Sequence, residues 1–192
     1  TLRAARHEVA HLVLSRSSVA LPLWMEEGLA EYYSTLQQKG EKAVLGRAVP
    51  RHIERLGAGD WMPANRLMTW KKEDTKGDES VGVYAQSWAL VHLLMREPDA
   101  RQRFERFGQL LASGVAQSAA FEQSFGRTLD QLIGAARQAA QTKDFPDREV
   151  PLAASAQIAD APWKTLGDAD ARLLRVDALL ASRLTNEAAK AA

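Results

Sequence analysis

His7, Glu8, Val9, Ala10 and His11 set two imidazoles four positions apart with a carboxylate between them. An α-helix turns about 100° and rises about 1.5 Å per residue, so positions four apart differ by only about 40° in azimuth and about 6 Å along the axis. His7 and His11 then point the same way, and two imidazoles so placed can close on one divalent ion at about 2.0 to 2.1 Å from each nitrogen. Glu8, one step round the helix, reaches a water on the ion rather than the ion itself. The competing reading is a pair of half-exposed histidines on an amphipathic helix, since short patterns of this kind recur by chance. A catalytic zinc wants three protein ligands and one position left to water. The chain has four histidines and no cysteine, so any metal must be held by histidine and carboxylate, and a third ligand has to be found.

The stretch LPLWMEEGLAEYYS supplies Glu26, Glu27 and Glu31. On a helix Glu27 and Glu31 share a face, while Glu26 is turned about 100° from Glu27 and looks elsewhere. One carboxylate can ligate while its neighbour one turn on hydrogen-bonds the free nitrogen of a ligand histidine, fixing that ring's tautomer. This assigns the metal to Glu27 and the supporting hydrogen bond to Glu31. Gly28 costs about 1 kcal/mol relative to alanine inside a helix and makes sense if something must approach the backbone closely there. The plainer alternative is that Gly28 breaks the helix and the glutamates are solvated.

Several elements must position these groups. Leu2, Ala5, Val9, Leu12 and Val13 recur at helical spacing and predict a helix from Leu2 to about Ser17, bearing His7 and His11. Pro22 suits the start of a second helix running through LWMEEGLAEYYSTLQQ. Gly40 and Gly46 flank EKAVL, a short strand or hairpin near 41–49. Short helices are expected at 50–56 and 64–70, with GAGDWMP between them as a loop, and KKEDTKGDES reads as a charged, solvated surface excursion. A strongly apolar helix follows from Val81 to Met95, ended by Pro98. Three amphipathic helices are expected at about 98–113, 115–125 and 128–141, the last with Thr128 as N-cap. KDFPDREVP reads as a linker, which places a soft boundary near residue 146. Residues 147–192 are then a linker and a long Ala- and Leu-rich C-terminal helix, which could open a helical repeat and could dock a protein partner. The fold class is mainly α.

HEVAHLVL followed by LPLWMEEGLAEYYS resembles the signature of the gluzincin zinc metallopeptidases, the superfamily of thermolysin and aminopeptidase N, and most of all the bacterial Peptidase_MA-like group. There an HExxH helix is followed, after a short spacer, by a helix with a W-x-x-E-G-x-A-E-Y-like text, matched here by Trp24, Glu27, Gly28, Ala30, Glu31 and Tyr32. The resemblance covers roughly residues 1–141. It implies a zincin-like catalytic domain over 1–146 with zinc on His7, His11 and Glu27. It also implies hydrolysis of peptide bonds by a zinc-bound water, with Glu8 as general base. In aminopeptidase-like members a tyrosine well downstream of the third ligand donates its hydroxyl to the oxyanion, and the resemblance carries that role to Tyr84. The alternative for Tyr84 is a core-edge residue with a satisfied hydroxyl. Fifteen residues separate His11 from Glu27, fewer than in aminopeptidase N or thermolysin and similar to the Peptidase_MA-like spacing, so the connection must be tight. Such zincins carry a β-sheet before the HExxH helix; that sheet is not expected in these 192 residues, so either it lies upstream of Thr1 or this chain works without it. A periplasmic or cell-envelope location is likewise what the resemblance implies.

Composition narrows the partners. Lys plus Arg (25) nearly cancels Asp plus Glu (24), so no global field draws nucleic acid or an anionic membrane surface. No apolar run approaches the roughly 18 to 20 residues of a membrane span. Composition names no partner; the one that the resemblance implies is a peptide or protein substrate. His92, among apolar neighbours, reads as a buried histidine bonded to backbone, and His52 as a residue without a role at the site. Trp61, Trp70 and Trp88 read as core. Arg66, Lys71 and Lys72 could meet a substrate carboxylate, but nothing in the sequence separates them from ordinary solvated surface. A rival of another class is a catalytically inactive, peptidase-like binding module whose zinc is structural or vestigial; a scaffold has no need for ligands, base and tyrosine together.

Overall fold

In a computed structural model that describes residues 2–15 and 21–151, the chain is mainly helical. α1 (Leu2–Ser15) and α2 (Leu23–Ser34) pack against one another, and α2 packs in turn on α5 (Asp78–Met95). α5 is the centre of the fold. Trp88, Ala89, Leu90, Val91 and Leu94 are fully buried, as a helix apolar on every side must be. α3 (Pro50–Gly57) packs on it and α4 (Ala64–Met68) follows, each beginning at or just after a proline, whose fixed φ suits a first helical turn.

α6 (Ala100–Ala112), α7 (Gln117–Phe125) and α8 (Leu129–Thr142) complete the helical packing, with α8 meeting α3, α4 and α5. Their inward positions stack Phe104, Phe107, Phe121 and Phe125 ring against ring. Gly126, at φ 69°, ends α7 in the left-handed conformation that glycine tolerates. Thr128 caps α8 as expected: its Oγ1 accepts from Gln131 N–H at 3.2 Å while Gln131 Oε1 accepts from Thr128 N–H at 2.9 Å.

Three departures from the sequence expectation have physical causes. The hairpin lies earlier than 41–49: β1 (Gln37–Lys39) and β2 (Lys42–Leu45) pair antiparallel about Gly40, whose φ of 62° makes the turn. The segment expected as a linker belongs to the fold. Phe145 is buried against Trp88 and His92, and β3 (Arg148–Pro151) pairs antiparallel with β2, Ala43 opposite Val150, giving the order β1-β2-β3. A boundary at residue 146 would cut through this packed return. The 71–80 run is not wholly a solvated excursion either, because a 3-10 turn at Lys72–Asp74 directs Lys72 inward.

His92 is bonded to backbone as expected: its Nε2 meets the Gly46 carbonyl at 2.9 Å and ties the end of β2 to α5. Trp70 and Trp88 are core, and Trp61 is partly buried beneath Arg137. Among the described residues no helix is long and apolar enough to cross a membrane. The expected C-terminal helix lies outside the described residues.

Candidate metal centre

Glu27 has no solvent exposure on a helix whose other buried residues include Trp24, Met25, Leu29 and Ala30. A carboxylate in such surroundings is costly unless charged partners reach it. α1 brings two. Its helical period aligns His7 and His11 toward α2, and the crossing sets His11 Nε2 3.2 Å and His7 Nε2 3.4 Å from Glu27 Oε2, with the two nitrogens 3.1 Å apart. Gly28 allows the inner side of α2 to seat: a Cβ there would lie 2.4 Å from the backbone oxygen of Ser87 on α5. The expected close approach is therefore helix against helix.

These three atoms, one from each residue, form a group that could hold a metal ion. A tetrahedral ion with donors at about 2.0 to 2.1 Å keeps neighbouring donors about 3.3 to 3.4 Å apart. The observed triangle of 3.1, 3.2 and 3.4 Å is close to one face of that tetrahedron. Two ring nitrogens and a carboxylate oxygen facing inward at such distances repel as bare lone pairs, so a cation, a proton or a metal ion, is called for between them. Burial by itself pushes the His7 imidazolium toward deprotonation, but bonds to Glu27 and Glu31 outweigh it and raise its pKa to about 9. Burial also works against the Glu27 carboxylate, yet His11, His7 and the charge of Lys72 hold it well below the usual carboxylate range.

Glu31 stands behind the histidines, as expected for a supporting carboxylate. Its Oε1 is 3.2 Å from His7 Nδ1, which leaves Nε2 of that ring for the triangle. Glu31 Oε2 receives two further groups that the sequence reading missed. His52 Nε2 lies 2.9 Å away, and the Arg3 guanidinium, whose Nε also donates to Ser34 Oγ at 3.1 Å, pairs with the same oxygen. His52, expected to have no role, is thus buried within the site's support. Despite its burial, bonds to His52 and His7 keep Glu31 well below the usual carboxylate range. Arg3 had a local signal, since 3, 7 and 11 are successive i, i+4 positions on one face of α1; His52, on α3, had none.

A cleft of about 260 Å³ opens beside the triangle, lined by Arg3, His7, Glu8, Glu31, Ser34 and Tyr84 among others. Glu8 is half-buried on its wall, and its Oε2 is enclosed with no hydrogen-bond partner among the described residues. Tyr84 also lines the cleft, its ring centre 6.5 Å from that of His7 and 5.9 Å from that of Trp70. Burial, with the nearby Glu27 charge, pushes the Tyr84 phenol up to about 12, which keeps it a hydroxyl donor at neutral pH. Lys72 is the other missed residue: its Nζ forms an ion pair with Glu27 Oε1 at 2.7 Å, and its charge also acts on the Tyr84 phenol. Glu26 is half-buried and lies outside the triangle, as its azimuth predicted. Arg66 turns away from the site to pair with Glu79 at 3.4 Å.

No protein-family profile, no curated protein and no solved structure matches this chain. The functional reading accordingly stands on the chemistry of the site itself.

Proposed function

We propose that the chain is a zinc-dependent metallopeptidase of gluzincin type, with His7, His11 and Glu27 as the metal ligands. The donor triangle carries this reading, because its edges suit a small tetrahedral ion and its two imidazoles with one carboxylate suit zinc better than the oxygen-seeking calcium or magnesium. Zinc there would supply Lewis acidity, polarising the scissile carbonyl and acidifying the attacking water. The rest of the chemistry falls to the protein.

Glu8 accepts the water's proton at its unpartnered Oε2 and returns it to the leaving amine, acting first as base and then as acid. Tyr84, a neutral phenol lining the same cleft, donates its hydroxyl to the oxyanion that develops on the former carbonyl oxygen. Glu31 holds His7 in the tautomer with Nε2 free, and His52 and Arg3 hold Glu31.

The test joins metal analysis to hydrolysis. Purified protein should contain close to one zinc per chain and cleave members of an unbiased peptide library, and a chelator should abolish cleavage until zinc is restored. Absence of bound zinc would refute the proposal. Zinc without cleavage of any library member would favour the scaffold reading instead.

A further inference from the structure

Lys72 stands apart from the charged run that contains it. Lys71 and Lys76 are exposed, whereas Lys72 is half-buried and reaches the wholly buried Glu27. The turn that aims it is tied on both sides. Lys71 N–H donates to Asp74 Oδ2 at 2.9 Å, and Asp74 N–H donates to the Lys71 carbonyl at 3.0 Å. The buried Trp70 indole donates to Thr75 Oγ1 at 3.1 Å, and that hydroxyl lies 2.9 Å from Ser80 Oγ at the start of α5.

The two oxygens of Glu27 therefore have separate partners. Oε2 faces the histidines and Oε1 faces the ammonium. We propose that Lys72 is a positioning residue of the metal centre: by holding Oε1 it makes Glu27 a one-oxygen ligand, keeps the fourth position of the ion for water, and weakens ion binding in doing so. This inference rests on the metallopeptidase reading above.

Two physical arguments support it. Glu27 Oε1 is buried with no hydrogen-bond partner among the described residues, and its compensating charge is the Lys72 ammonium at 2.7 Å; with that charge removed the nearest cation would be the metal, so loss of Lys72 turns Glu27 toward two-oxygen ligation. An ammonium beside a divalent ion also repels it, by about tenfold in affinity or more even with water-like screening at this range.

The experiment compares the full chain with Lys72→Met and Lys72→Arg, each stripped of metal and titrated with zinc against a chromophoric chelator, then loaded with cobalt(II) for its visible spectrum. Lys72→Met should bind zinc at least about tenfold more tightly, and its cobalt bands should weaken as a further oxygen joins the ion. Lys72→Arg should restore the wild-type affinity and spectrum. Equal affinity and spectra in wild type and Lys72→Met overturn the inference while leaving the metal site standing. Weaker zinc binding in Lys72→Met overturns it too, because that is what loss of simple structural support would give. Tighter binding with an unchanged cobalt spectrum overturns the positioning role and leaves only charge repulsion. If the wild-type chain takes up no metal, the metallopeptidase reading fails, and the inference fails with it.

Discussion

Gly28→Ala isolates the contact that seats the liganding helix. An alanine Cβ at this position would lie 2.4 Å from Ser87 O and 2.8 Å from Ser87 C, both backbone, and 2.6 Å from Val91 Cγ2. Non-bonded heavy atoms reach their optimum at roughly 3.5 Å, so α2 must back away from α5 by about 1 Å, since no rotamer change moves a carbonyl. Overpacking of this kind costs about 1 to 3 kcal/mol, and the helix propensity of alanine returns up to about 1. Three contacts this short, two of them to backbone, put the cost in the upper part of that range, about 2 to 3 kcal/mol, so with about 1 returned the net loss is about 1 to 2 kcal/mol. At roughly 2 to 4 °C per kcal/mol for a chain of this size, the melting temperature should fall by about 2 to 8 °C. Glu27 precedes the altered residue and moves with α2, so the donor triangle stretches and zinc affinity should fall by about tenfold or more. Gly134→Ala is the matched control: on α8 the added Cβ would meet nothing within 4 Å, so propensity alone acts and stability should rise by up to about 1 kcal/mol. Thermal unfolding by circular dichroism and zinc competition measure both effects. A Gly28→Ala protein that melts at or above the wild-type temperature with unchanged zinc affinity would refute the argument that the α2–α5 approach positions Glu27.

Glu8→Gln should retain zinc and lose hydrolysis by about 10² to 10⁴, the usual worth of a general base, whereas His11→Ala should release the metal; full activity in the first removes Glu8 from the mechanism. His52→Ala frees Glu31 from one of its donors and should weaken zinc binding by about 10- to 100-fold, measured by chelator competition, and unchanged affinity would make His52 a bystander. Burial of His92 disfavours its imidazolium and depresses its pKa below the ordinary 6.5. The unfolded chain then binds the proton first. The His92 contribution is fully present above pH 6.5 and is lost as pH falls through that value toward the lower folded-state pKa. Denaturant midpoints at pH 8 and pH 5 should diverge more in wild type than in His92→Gln, and equal divergence would show that His92 is not the group responsible.

What could be read from the sequence was local. Helical period alone aligned His7 with His11 and Glu27 with Glu31, separated Glu26 from them, and marked Thr128 as a cap, because each of these depends on residues within one turn of backbone. Gly28 was legible as a close approach, though not as an approach to Ser87. The hairpin turn at Gly40 was visible as a glycine, but not that β3, more than a hundred residues away, would join β2 as a third strand.

The remainder depended on how separate elements cross. Nothing within a few residues of His52 or Lys72 distinguishes them from surface residues. They acquire partners because α3 and the 72–74 turn arrive at a buried carboxylate that cannot be left without compensating charge. The pattern of residues thus specified which groups could do chemistry and on which helical face each sits. The distances of 3.1 to 3.4 Å between donors, the pairing of each Glu27 oxygen with a different cation, and the enclosure of Glu8 follow from helix packing, which sums interactions between residues far apart in the chain.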